Sequence, residues 1–466
     1  MIIVQNYIQS AKVLKKIEIK EGKSKIIRYF CIVKRFKYIF RAILAVLLII
    51  LTTNAAAQDF PGNNSKESSA GATNAQSETS NIPGLAPTWL DSVDISLLTC
   101  GPGQEIWSYY GHTALRIEDK VHGTDLAVNW GMFSFQQDFF ILRFVFGLTD
   151  YQIGVFPMQH FIAEYTYEGR WVKQQRLALT REEKWKILTA IDENNQEANR
   201  TYRYNFFYDN CTTRARNMII LHLAYHTTDF KNVDAHSTYR EEIHRWNENH
   251  RWARFGNDLL LGYQSDLPIN KEEWEFLPEN LYNDFEVEAR KDTVEQGKLV
   301  NVYPTKTPYI KLVDSTFYIV APQAEVTTTE SITPRMVSVI LAILIVLITA
   351  CEVAKKKNFW WMDTLLLIVT GLPGLILLAM VFSQHPTVQV NFQILILNPL
   401  NLLFVYKVSK RMRKGGMHWY YNVWGTLLVI SLFMQIWQDY AEGMIILALS
   451  LLMRYALKMA AYQLKH

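Results

Sequence analysis

The chain has 466 residues, 49% hydrophobic and 13% aromatic, too long for one compact domain and with apolar material for a large core plus membrane spans. The formal net charge of +4 is small for this length, and no basic patch interleaved with aromatics crosses a structured region, which argues against nucleic-acid binding.

Met1 to Arg41 are rich in Lys and Arg, Ala42 to Leu51 are apolar, and Asn54-Ala55-Ala56-Ala57-Gln58 offers small residues of the kind a signal peptidase cuts after. Residues 1–57 therefore read as a basic leader and an export signal. The leader is long for this purpose, so either translation starts further downstream or the leader has a second role. No Cys closely follows the apolar run, so the chain does not read as a lipoprotein itself. Residues 58–87 are mostly small and polar and cannot bury enough surface to offset ordering entropy, which makes them a linker.

Residues 88–330 carry mixed patterns expected of an α+β domain. Val93 to Leu98 predicts a strand ending at the Gly101-Pro102-Gly103 turn, Thr113 to Ile117 alternates, Leu126 to Trp130 is a short strand, and Arg181 to Asn194 is a helix. Apolar segments follow at Met336 to Val353, Phe359 to Phe382, Val388 to Tyr406, Tyr420 to Phe433 and Met444 to Leu457, predicting a five-span domain over 335–458. The first three approach or exceed the ~20 residues a bilayer core requires; the last two need their flanks. Lys355-Lys356-Lys357, Lys407 to Lys414, and Lys458 with Lys465 follow alternate segments, whereas links Ser383 to Gln389 and Gln435 to Gly443 carry no Lys or Arg. The positive-inside rule places these links on the outer side with the exported domain.

Of four cysteines, Cys31 lies in the leader and Cys351 at the end of a span, leaving Cys100 and Cys211 in the exported domain. A disulfide between those two is one reading. The other follows from Tyr-Asp-Asn-Cys-Thr-Thr-Arg-Ala-Arg, which predicts Cys211 in the first turn of a helix capped by Asn210 or Asp209. There, free backbone N–H groups, the helix dipole and Arg214 favour a thiolate, and the same N–H groups can hold an oxyanion. His112 begins a strand on which it shares a face with Ala114 and Arg116, and Gly111 before it permits close backbone approach. A strand His paired with a helix-start Cys supplies the base and nucleophile of thiol acyl transfer; a satisfied core His is the alternative.

Gly101-Pro102-Gly103, Gly-His-Thr-Ala-Leu-Arg (111–116), Asn-Trp-Gly-Met-Phe (129–133), Phe-Gly-Leu-Thr-Asp-Tyr (146–151), Gln175 and Phe-Tyr-Asp-Asn-Cys-Thr-Thr-Arg-Ala-Arg (207–216) together resemble the Lnb family, the lipoprotein N-acyltransferases of Bacteroides and relatives. The resemblance continues through Thr238-Tyr239-Arg240-Glu241, Asp258 to Gly262, Asp266-Leu267-Pro268 and Phe276-Leu277-Pro278 to His385-Pro386, Asn391 and Asn398-Pro399-Leu400, covering about Asp91 onward. It implies a periplasmic papain-like domain related to the permuted NlpC/P60 group, followed by an α-helical transmembrane bundle in the bacterial inner membrane. It further implies Cys211 as nucleophile and His112 as base, a phospholipid as acyl donor and a diacylglyceryl-cysteine lipoprotein as acceptor. Asn129 is the expected orienting residue, with a turn-forming Asn as the alternative. Trp130 stands where the family often has Tyr, and Arg216-Asn217 replaces an expected Arg-Asp pair, removing a carboxylate near Cys211. Arg116, Arg214 and Arg216 are candidate substrate contacts, and surface ion pairs are their alternative. His385, in an outer link, is a candidate headgroup contact or a solvated His. Asn391 and Asn398 require hydrogen-bond partners between helices. No cofactor is expected, since no metal-ligand spacing or nucleotide loop stands out. A membrane-anchored peptidoglycan amidase or endopeptidase of NlpC/P60 type, and a disulfide-bonded sensor, remain the competing functions.

Overall fold

The computed structural model describes residues 86–133, 139–224, 233–287, 289–291, 293–295, 298–300, 309–323 and 330–463. The predicted leader and signal, and all of the linker except its last two residues, lie outside these.

In chain order the first domain contains β1 (Val93–Cys100), β2 (His112–Asp119), β3 (Thr124–Met132), α1 (Phe140–Val145), β4 (Asp150–Pro157), α2 (Met158–Tyr167) and β5 (Val172–Leu177). There follow α3 (Arg181–Asn195), β6 (Thr201–Arg203), α4 (Cys211–Ile220), α5 (Tyr239–Trp246), α6 (Arg251–Leu260), α7 (Pro278–Val287) and β7 (Val313–Val320). The seven strands form one sheet in the order β7-β5-β1-β2-β3-β4-β6, antiparallel at every junction. Period-two alternation decides which helix covers which face. Leu97, Leu115 and Val128 pack with Ala215 and Ile219 of α4 and Ile187 of α3. Leu98, Ala114 and Ala127 pack on the other side with Met158 and Phe161 of α2. Coverage of both faces buries every residue of β1 except the half-buried Asp94, including the polar Ser96 and Thr99 that interrupt its apolar positions.

The second part is helical, with α8 (Pro334–Ala354), α9 (Trp360–Met380), α10 (Leu400–Arg413), α11 (Trp419–Met434) and α12 (Met444–Gln463). Four stretches are long and apolar enough to cross a membrane, 334–354, 360–380, 386–413 and 444–463, while α11 is shorter. The third predicted segment is not one helix. It comprises a helical turn at Pro386–Gln389, a 3-10 turn at Phe392–Leu395 and then α10. Pro399 lacks the N–H an unbroken helix would use, while Asn391 and Asn398 turn their amide oxygens onto the backbone N–H groups of Gln393 and Leu400 at 3.0 and 2.9 Å. Their role is thus partly local rather than purely interhelical.

A charge cluster closes one end of the bundle. Arg454 and Asp363, both fully buried, form a two-pronged pair with Nε–Oδ1 and Nη2–Oδ2 at 2.8 Å. Glu352 accepts from Arg454 at 3.1 Å, and Tyr421 donates to Asp363 at 3.0 Å. Lys458 completes the cluster against Glu352 and Asp363, so α8, α9, α11 and α12 are pinned together.

At the opposite end, the two links without Lys or Arg meet the sheet-bearing domain. Gly262 and Tyr263 donate their N–H groups to the carbonyls of Thr387 and Val390, both at 2.7 Å. Asn391 donates to Leu259 O at 2.8 Å, Gln393 to Asp258 O at 2.8 Å, and Gln438 to Leu261 O at 3.1 Å. Arg251 pairs with Glu442 at 2.8 Å. The domain therefore sits against the bundle ends that the charge pattern assigned to the outer side.

Candidate active site

Of the two cap candidates, Asn210 and Asp209, it is Asn210 that caps α4. Its Oδ1 accepts from the N–H groups of Thr212 and Thr213 at 2.8 and 2.9 Å, and its Nδ2 is held by the carbonyls of Phe206 and Phe276 at 2.7 and 2.8 Å. The cap leaves out the N–H of Cys211 itself, a helix-start donor of the kind that can hold an oxyanion. Two of the N–H groups expected to serve an oxyanion are thus used by the cap.

Thr113 and Thr212 hydroxyls meet at 3.0 Å in the core, tying β2 to the first turn of α4. This fastening brings His112, the first residue of β2, to Cys211, to which its ring is hydrogen-bonded. Gly111 makes the approach possible: its φ is +77°, and a Cβ there would stand 2.6 Å from the carbonyl oxygen of Cys100. Cys100 is the register partner of His112 but is a buried, free thiol, and Cys211 is also free. The disulfide reading therefore has no bond to support it here.

Asn129 is not in a turn. It pairs with Ala114 and Gly154 within the sheet, and its Oδ1 lies 2.5 Å from His112 Nε2. An amide oxygen only accepts, so Nε2 carries a proton and Nδ1 is left to serve the thiol. Just beyond, the ladder is irregular between Asn129 and Met132, and Gly131 adopts φ +89° with its would-be Cβ 3.8 Å from Cys211 Cβ. Trp130, fully buried, donates to Asn194 Oδ1 at 2.9 Å and so anchors this strand end to α3.

Electrostatics follow from this geometry. Burial pushes the Cys211 thiol up, but the His112 charge and hydrogen bond, the Thr113 N–H and the Thr212 hydroxyl together outweigh it and bring the thiol from 9.0 down to about 7. For His112, burial disfavours the cation, yet the Cys211 charge and the bonds to Cys211 and Asn129 raise it overall. For Cys100, burial outweighs the Arg170 charge and the Tyr165 hydrogen bond and pushes the thiol up to about 12. The pair titrates as a unit: thiolate–imidazolium forms as pH rises through the lowered thiol value and is lost when the imidazolium deprotonates. Alkylation of the reduced protein by iodoacetamide is accordingly expected to rise with a midpoint near pH 7 at Cys211, with Cys100 silent; peptide mapping of the labelled protein checks both. Asn129→Ala should cost about 1.5–3 kcal/mol, roughly 10–100-fold in the rate of that alkylation at pH 7, because the bond it removes is to a charged ring.

The three arginines are placed differently from Asn129. Arg116 is about 13 Å along β2 from His112 at ~3.3 Å per residue, and is held by Asp125, Glu118 and Gln174. Arg216 is buried against Glu272 and Glu275. Arg214 is paired through two hydrogen bonds with Asp209 and stacked 3.4 Å over the Tyr202 ring, so its charge is met by a carboxylate rather than by the thiolate. Substrate contact by Arg116 or Arg216 would require breaking these pairs. His385 is half-buried, its Cδ2 and Nε2 3.1 and 3.2 Å from a Cβ placed on Gly147, and burial disfavours its cation. Thr113, Thr212 and Gly131 were not distinguished by sequence; only the small-residue content of the two motifs hinted at such close packing.

Two family models match the chain: the Lnb N-terminal periplasmic domain over residues 85–244 and the Lnb transmembrane domain over residues 326–465. No curated protein and no solved structure matches it.

Proposed function

The chain belongs to the Lnb family, and from that premise we propose that it is a thiol-dependent lipoprotein N-acyltransferase of the bacterial inner membrane. The observation that carries this reading is the Cys211–His112–Asn129 chain of hydrogen bonds on a domain bonded directly to apolar, membrane-length helices. A wall hydrolase needs the same three groups but only an anchor, whereas this domain packs against the bundle over both outer links.

In the first half-reaction the Cys211 thiolate attacks an acyl ester carbonyl of a phospholipid. The C–S bond forms, the tetrahedral oxyanion is held by the Cys211 N–H, and the C–O bond breaks as the His112 imidazolium protonates the leaving alkoxide, giving a lysophospholipid. In the second, the α-amino group of a diacylglyceryl-cysteine lipoprotein attacks the thioester. The C–N bond forms, His112 accepts the amine proton, and the thiolate leaves. Asn129 keeps Nδ1 toward sulfur throughout. Of the other expected contacts, His385 stays a candidate for the phospholipid headgroup, since it lies in the membrane link; Arg116, Arg214 and Arg216, each already held by carboxylates, are proposed to act through structure. The test is to incubate the purified protein with phospholipid vesicles plus a diacylated lipopeptide and, separately, with muropeptides. One acyl chain added to the lipopeptide amine supports the reading, and muropeptide cleavage without acyl transfer refutes it.

A further inference from the structure

The catalytic end of the sheet is also its membrane end. His112 opens β2, and Asn129 lies near the close of β3, so the β1–β2 and β3–β4 connections flank the site on that end. Each connection is fastened to elements that meet the bundle. In the first, Tyr109 stacks on His250 at 4.0 Å and the Tyr110 hydroxyl accepts from Asn257 of α6 at 2.6 Å. In the second, α1 packs on α9, and the carbonyl of Phe146 accepts the N–H of Gln384 at 2.9 Å.

These same connections carry exposed apolar side chains. Phe139, just before α1, is 77% exposed, Leu142 and Phe144 on α1 are 55% and 49% exposed, and the turn after β1 exposes Ile106 and Trp107. Phe139 also holds φ +56°, a left-handed conformation unfavourable for a bulky residue. Apolar surface of this kind, rimming a site and continuous with a membrane span, matches hydrocarbon rather than water or a polar peptide.

We propose that Phe139, at the start of α1, and Leu142 and Phe144 of α1, with Ile106 and Trp107, form an acyl-chain-binding surface lying in the outer leaflet that carries a phospholipid chain from the bilayer to Cys211, an inference that rests on the acyl-transfer reading. The occupant is a phospholipid acyl chain because α1 is joined to the outer end of α9 and so meets the bilayer where its chains begin.

The full chain is reconstituted in phosphatidylethanolamine–phosphatidylglycerol vesicles containing a phospholipid with a diazirine in one acyl chain, irradiated, and mapped by mass spectrometry. Crosslinks are expected on α1 and on Ile106 or Trp107. The triple variant Phe139→Ser, Leu142→Ser, Phe144→Ser is expected to lose the α1 crosslinks and to form the Cys211 thioester from vesicles at least about tenfold more slowly, with iodoacetamide alkylation of Cys211 reporting that it is folded. Crosslinks confined to the membrane helices, or a variant thioester rate equal to wild type, overturn the surface. If the variant unfolds, the wild-type crosslink map alone decides. Crosslinks on α1 without any thioester in the wild type uphold the lipid surface and overturn acyl transfer, whereas a thioester without α1 crosslinks does the reverse.

Discussion

Replacing Cys211 with Ala is expected to abolish acyl transfer to a lipopeptide, and replacing His112 with Ala to slow acylation by about 10²–10⁴-fold. The first variant lacks the atom that becomes acylated, and Cys100 cannot substitute because it is buried and its thiol sits at about 12. The second retains sulfur but loses the imidazolium, the largest influence lowering the thiol. Without it, burial of the thiol is offset only by Thr113 and Thr212, so the alkylation midpoint should move from about 7 back to or beyond 9.0. A merely structural histidine would change stability without that shift. Stopped assays of lipopeptide mass, run alongside a pH series of alkylation, separate the two: a His112→Ala variant with an unchanged midpoint would remove His112 from the role of base.

The second large effect concerns stability. Arg454→Leu is expected to lower stability by about 3–5 kcal/mol, because it leaves the buried carboxylates of Asp363 and Glu352 with Lys458 as their one remaining counter-charge among the described residues. Adding Asp363→Leu should recover part of the loss, since the remaining Glu352–Lys458 pair is then balanced. Thermal unfolding in detergent micelles measures both. Below the transition, Cys211 alkylation should be unaffected, because the cluster closes the end of the bundle away from the sheet-bearing domain. Equal melting of wild type and Arg454→Leu would show that the cluster does not hold the helices together.

Much of the site could be read from local chemistry. A cap residue before Cys211, a Gly before His112 and strand alternation are all encoded within a few residues, and the structure bears out the Asn210 cap and the close backbone approach at Gly111. Charge placement likewise identified the links that meet the outer domain. Pairings set by distant segments were less accessible. β7 joins the sheet beside β5 through contacts that neither segment announces alone, and Trp130 needs Asn194 from α3. Averaged hydropathy concealed Arg454 within an apolar run and the Pro399 break within another. Sequence left Arg214 and Arg216 open between substrate contact and ion pair, because residue types alone do not show that Arg214 turns back onto Asp209 within its own motif, and the partner of Arg216, Glu275, lies far along the chain.

The most direct test of the account is the mass of the Cys211 peptide after the purified protein is mixed with phospholipid vesicles and quenched in acid, before any lipopeptide is added. An added acyl chain at Cys211, released by hydroxylamine and accompanied by an equal amount of lysophospholipid, is the predicted result. Acyl transfer to lipopeptide that proceeds while Cys211 stays unmodified, and that persists in Cys211→Ala, would contradict it.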